Sequence, residues 1–188
     1  MTDRSVLGLD RRRVELAEHR PEWRALAEHL CGEVMRATGG LIVEVEHVGS
    51  TAVEGLVAKP ILDIAAGVRD RASATQLEPL LAPLGFAYRG DWGDAGGHLF
   101  VRESGPGVRT VHLHVVEHLG SQWEDYLLFR DTLRRDERVR DSYDFLKRSL
   151  MQAYPLDREA YTSSKGDFIR SVLGTARTRR VRRDEHHA

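Results

Sequence analysis

Cysteine is all but missing from this chain: Cys31 is the one thiol among 188 residues. A single thiol cannot close an internal disulfide. Cys31 falls in a helical-looking segment, where it reads as a small core residue. Long apolar runs are missing as well. None approaches the roughly 20 residues that cross a bilayer, and the opening MTDRSVLGLDRRRVE holds no apolar stretch of the kind that directs secretion. Together these absences lead to the expectation of a soluble, cytoplasmic protein with no membrane partner. Net charge is nearly absent too. The 28 basic and 29 acidic residues leave −1, so the chain as a whole offers a polyanion no electrostatic attraction, and nucleic acid is not an expected partner.

Lysine is the most telling scarcity. Only Lys59, Lys147 and Lys165 stand among the 28 basic residues; every other one is arginine. Where a sequence drifts towards arginine, a position that keeps lysine can be one that needs a compact ammonium rather than a planar fork. The alternative is that three lysines survived by chance.

Hydrophobic residues make up 41% of the chain, enough for one compact domain or one domain with an appended helical part. Residues 1–13 read as a loose arm, with RRVELAEHR a possible short strand. The stretch RPEWRALAEHLCGEVMRAT puts Trp23, Leu26, Leu30 and Val34 at helical spacing between Pro21 and Gly39-Gly40, a well-punctuated amphipathic helix. LIVEVEHV and PILDIAAGV read as strands, and RASATQLEPLLAPLG as a helix stopped by Gly85. DWGDAGG reads as a glycine-rich loop, and HLFVRE and VRTVHLHVVE as a hairpin joined by SGPG. From Gln122 onward the pattern is helical, in three segments that begin at QWEDY, RVRDS and REAYT. The expected class is α/β in the α+β sense, a mixed β-sheet with packed helices and a helical C-terminal part. The divisions are an arm at 1–13, an α/β core at 14–120, helices at 121–176 and a basic tail at 177–188. The tail, with five arginines in RTRRVRR, reads as a solvated end ahead of a nucleic-acid contact.

Chemistry concentrates in EHVGSTAVEGLVAKPILDIAAG, Glu46 to Gly67. A strand that ends in Gly49-Ser50-Thr51 and turns offers free amides and a hydroxyl, the ligands of a phosphate. Asp63 lies inside an apolar strand, where a carboxylate is costly unless it is paired or holds a metal. A turn glycine, a capping serine and a capping aspartate are the plain alternative.

This stretch resembles the signature of the GrpB-like family of the nucleotidyltransferase superfamily. HLHVV, LLFRDTLR, YDFLK and YTSSK resemble later segments of the same family, so the likeness runs from about Val14 to Ala176. It implies a nucleotidyltransferase-like fold, a nucleoside triphosphate as substrate, and a divalent metal held by carboxylates on the strand after the Gly-Ser turn. Carried over, Gly49 and Ser50 match the phosphate turn and Asp63 the first carboxylate. Residue 65, which shares the Asp63 face, is alanine. The second metal carboxylate is therefore absent, and an ordinary two-magnesium centre is not available.

Other side chains can complete the site. His112 and His114 alternate, so their rings leave one face of one strand. With Asp63 and His47 they form a ligand set that suits a transition metal better than magnesium, or a general base. Glu46 points away from His47 if its strand is regular. His98 joins the histidine face or leaves it according to a one-residue register. Lys59 precedes the Asp63 strand. Tyr143 with Lys147 and Tyr161 with Lys165 are i, i+4 pairs, and with Arg130 they form a set of candidates for holding phosphate or carboxylate. All three lysines fall in segments able to line one cleft between sheet and helices. Three readings stand: transfer of a nucleotidyl or phosphoryl group to a small-molecule acceptor, acid–base or metal chemistry on a small metabolite, and a non-catalytic nucleotide-binding module. The acceptor and the oligomeric state are not legible.

Overall fold

The structure, a computed structural model, describes residues 6–93 and 97–185, with side chains through residue 180. Part of the DWGDAGG loop and both extreme ends lie outside the described residues. The strands are β1 (Leu9–Asp10), β2 (Ile42–Val48), β3 (Leu62–Val68), β4 (Phe86–Asp91), β5 (His98–Gly105) and β6 (Val108–Glu117). They form one mixed sheet in the order β2-β3-β6-β5-β4, with β1 added against β6. β3 and β6 run parallel, and the other pairs are antiparallel.

Helix α1 (Glu22–Ala37) forms because Trp23, Ala27, Leu30 and Val34 recur on one buried face. It ends where Thr38 bonds back to the Val34 carbonyl at 2.9 Å and Gly39 takes a φ of 57°. That face packs on Ile64, Ala66, Val68, Phe100, Leu113 and Val115, the larger core. The opposite sheet face is covered by α3 (Ser121–Arg135) through Val48, Ala65, Val116 and Trp123. Helix α4 (Glu137–Ala153), the short α5 (Arg158–Ser163) and α6 (Gly166–Glu185) follow. Tyr143 of α4 packs with Val53, Leu56 and Leu133, joining these helices to the turn after β2.

Several expectations are corrected. Residues 12–20 form no strand, only a bridge between Ala17 and Ala58. The arm is tied down where described: Leu9 is buried, the Gly8 amide donates to the Pro60 carbonyl at 2.8 Å, and that of Val14 to Pro155 at 2.9 Å. The expected helix over 71–85 is a 3-10 stretch, one short α-helix, α2 (Glu78–Leu81), and a second 3-10 turn. Pro79 and Pro83 lack the amide a continuous α-helix needs. β4 was not expected. The third C-terminal segment is two helices, broken at Ser164–Lys165, and the second continues through the basic stretch to Glu185.

Candidate active site

β2 delivers the Gly49–Ser50 turn directly over β3. Val48 lies opposite Asp63 and Glu46 opposite Ala65, while His112 and His114 of β6 lie beside Asp63 and Ala65. All of these side chains belong to the face covered by α3. Gly49 has φ 70° and ψ −168°, and a Cβ there would stand 2.6 Å from Asp63 Oδ2. Only glycine lets the turn sit on the carboxylate. Neither the Ser50 nor the Thr51 amide donates to a backbone carbonyl among the described residues.

Asp63 Oδ1 is 3.1 Å from His112 Nδ1 and 3.7 Å from His114 Nε2. Burial alone would raise the Asp63 carboxyl, but the two imidazoles beside it, His112 hydrogen-bonded and His114 close by, outweigh that and hold it well below the usual carboxylate range. Burial lowers His112 despite the neighbouring carboxylate. At neutral pH the pair is thus carboxylate and neutral imidazole. Nδ1–H donates to Asp63, and the Nε2 lone pair faces Arg158 Nη2 at 3.4 Å. His114 packs its ring 5.3 Å from Tyr126. Asp63, His112 and His114 offer three donor atoms within 4.8 Å of one another. One carboxylate and two imidazoles fit a metal that accepts nitrogen better than they fit magnesium.

The lysines converge on the same place. Lys147 is 2% exposed. Its ammonium donates to the Val57 carbonyl and to Ser50 Oγ, the latter at 3.2 Å, and lies 4.8 Å from the Tyr143 ring centroid. The Lys59 and Lys165 ammoniums lie 5.3 and 4.4 Å from the centroid of the buried Tyr161 ring. Burial pulls Lys59 and Lys147 down to about 7 and Lys165 to about 8, and the charge of Lys165 depresses the other two further. Asp63 is close enough to oppose the shift at Lys59 and Lys165.

Four candidates fall elsewhere. His47 points through the sheet towards α1 and bonds Thr51 Oγ1 at 2.9 Å; burial lowers it to about 4. Both side chains line a separate cavity of about 1050 Å³ with Arg130 and Arg134. His47 is therefore not in the metal cluster, and the Thr51 hydroxyl does not face the phosphate turn. Arg130 is taken up by Glu46 at 2.5 Å, Asp131 at 2.8 Å and the His47 carbonyl at 3.1 Å, so its charge clamps α3 to the sheet edge. His98 lies opposite Val115 and bonds the Tyr88 hydroxyl at 2.8 Å, on the other sheet face. Three residues at or near the site were not anticipated: Tyr126, Arg158 and Arg109, whose charge is felt at Lys59. Tyr126 was recoverable, because Trp123, Tyr126, Leu127 and Arg130 form a helical stripe. Arginine is too common here for the other two to be noticed.

Residues 13–175 match the family model described as GrpB protein. The chain belongs to the GrpB family. It is 29% identical over 171 residues to the glutamate-rich protein GrpB of Alkalihalophilus pseudofirmus, covering 89% of this chain and 98% of that one. It is 39% identical over 137 residues to a UPF0157 protein of Streptomyces coelicolor, covering 73% and 70%. The crystal structure of GrpB from Enterococcus faecalis superposes with a TM-score of 0.77 at 29% identity, covering 86% and 96%. The site described here thus sits within a GrpB fold seen in a crystal.

Proposed function

We propose that this GrpB protein binds a nucleoside triphosphate with a divalent metal and transfers a nucleotidyl or phosphoryl group to a small-molecule acceptor. The observation that carries the reading is the Gly49 turn resting on Asp63 with three recessed lysines around it. A cleft with that excess of ammonium over carboxylate favours a polyanion. The Ser50 and Thr51 amides, the Ser50 hydroxyl and Lys147 would take one phosphate, and Lys59 and Lys165 the others. Asp63 with His112 and His114 would hold the metal, which supplies charge neutralisation at the transferred phosphorus. A bare cation is disfavoured beside these ammoniums, so the metal would enter as its nucleotide complex. One cysteine suits a reducing cytoplasmic setting.

The test is titration calorimetry with the four nucleoside triphosphates, each with magnesium and with manganese, on the protein and on Asp63→Asn. Micromolar binding by the parent, lost in the variant, supports the reading. Absence of binding to all four with either metal overturns it.

The Asp63–His112 pair favours a second reading, acid–base chemistry on a small anionic metabolite, because the carboxylate orients an imidazole whose Nε2 faces the cleft. A metabolite turned over without nucleotide would establish it.

A further inference from the structure

The cleft holds more guanidinium than the nucleotide turn uses. Arg158, the first residue of α5, sets Nη2 3.4 Å from His112 Nε2, while its Nη1 is buried with no hydrogen-bond partner. Arg109, three residues before His112 on β6, has a buried Nε in the same condition. The two are neighbours, and both are felt by Lys59. Glu103 is the acid that faces Arg109, and Asp63 the one that faces Arg158. A buried N–H without an acceptor costs free energy that a ligand can return, and a guanidinium fork matches the two oxygens of a carboxylate or phosphate. Among the described residues neither Arg109 nor Arg158 hydrogen-bonds to the Gly49–Ser50 turn. The charge therefore divides into a half around Ser50 and the three lysines and a half around Arg109 and Arg158, with Asp63 and His112 between them.

We propose that Arg109 and Arg158 form a second oxyanion subsite, and that the acceptor of the transferred group is itself an acid, a carboxylate or a phosphate monoester. The proposal rests on the nucleotide reading above for its reaction, but not for the existence of the subsite. An acceptor oxygen already ionised at neutral pH attacks the transferred phosphorus. A new P–O bond forms as the bridging P–O bond breaks. The bridging oxygen keeps the electron pair and leaves as pyrophosphate in nucleotidyl transfer, or as nucleoside diphosphate in phosphoryl transfer. No proton has to be removed, so the transfer needs no general base.

The experiment titrates inorganic phosphate and, separately, succinate into the full chain by calorimetry, with and without a saturating non-hydrolysable ATP analogue and manganese. Arg158→Gln, Arg109→Gln and Arg158→Lys are run alongside, with melting curves to establish folding. In the parent, one of the two oxyanions binds while the analogue is bound, and which one it is identifies the acid class. Each glutamine variant weakens that binding by about tenfold or more and leaves analogue affinity within about twofold. Arg158→Lys recovers part of the loss, because the charge remains. Oxyanion binding that competes with the analogue, or that is unchanged in both folded glutamine variants, overturns the subsite. If the analogue fails to bind while the arginine-dependent oxyanion site persists, the nucleotide reading falls and the subsite stands. If the analogue binds and neither oxyanion does, the reverse holds.

Discussion

At the scale of single residues, Gly49 is the tightest constraint in the site. Gly49→Ala would press a methyl group against the Asp63 carboxylate and force a side chain into positive φ. Such a backbone costs about 1–3 kcal/mol, and Asp63 would have to turn from His112. The expected outcome is a measurable drop in the chemical-denaturation midpoint together with loss of nucleotide binding in calorimetry; wild-type behaviour in both would show that the turn does not bear on Asp63. The three lysines supply a second test. Lys147→Arg inserts a larger, planar group where the ammonium is already bonded to the Val57 carbonyl and Ser50, an overpacking that typically costs about 1–3 kcal/mol. Arg→Lys at exposed Arg12 or Arg24 should fall within about 0.5 kcal/mol of the parent. Equal tolerance at both kinds of position, read from urea midpoints, would reduce the lysines to chance survivors. The scarce lysines did point to one region of the fold, since Lys147 meets Ser50 and Lys59 and Lys165 share the Tyr161 ring. Thr51 and Arg130 misled because residue type alone does not say which way a side chain faces.

At the scale of elements, alternation made β2, β3 and β6 legible, and with them the shared face of Asp63, His112 and His114. The same alternation puts His47 on the α1 side, since its neighbour Glu46 lies opposite Ala65. His98 depended on a register set by the β5–β6 pairing, with its shifts near Arg102 and Glu103, which no local pattern reveals. β4 was missed because only Phe86 and Tyr88 face inward, between Gly85 and Gly90, too few residues to show a period. The Arg130 clamp joins α3 to the edge strand β2, and it yields an element-scale prediction. Glu46→Gln leaves a nearly buried guanidinium short of one carboxylate and should cost about 1.5–3 kcal/mol, whereas replacing Glu46 and Arg130 together by Gln and Met should cost less than the sum of the single changes. A double-mutant cycle on denaturation midpoints reads this directly; simple additivity would mean that the pair does not hold the two elements together.

At the scale of the whole molecule, the same buried ammoniums set how stability answers to pH. An ordinary lysine titrates near 10.5, while Lys59 and Lys147 are brought to about 7 and Lys165 to about 8. Between the folded and unfolded values the unfolded chain binds more protons, so stability of the anion-free protein rises with pH across that interval. His47, lowered to about 4 by burial, has the same sign lower down, between its folded value and 6.5. Cys31, raised to about 11 by burial, has the opposite sign once its ordinary value of 9.0 is passed. The clean window is therefore about pH 7 to 8.5. In a buffer free of phosphate and carboxylate, the urea midpoint should climb through that window. A bound polyanion restores the ammoniums, so with saturating nucleotide the climb should flatten, and binding at pH 8 should take up protons, seen as a dependence of the calorimetric heat on buffer ionisation enthalpy. The triple variant of Lys59, Lys147 and Lys165 to methionine should lose both the slope and the proton uptake. A flat midpoint in the anion-free parent would mean that the three ammoniums are solvated rather than recessed, and the electrostatic case for a polyanion in this cleft would fall with it.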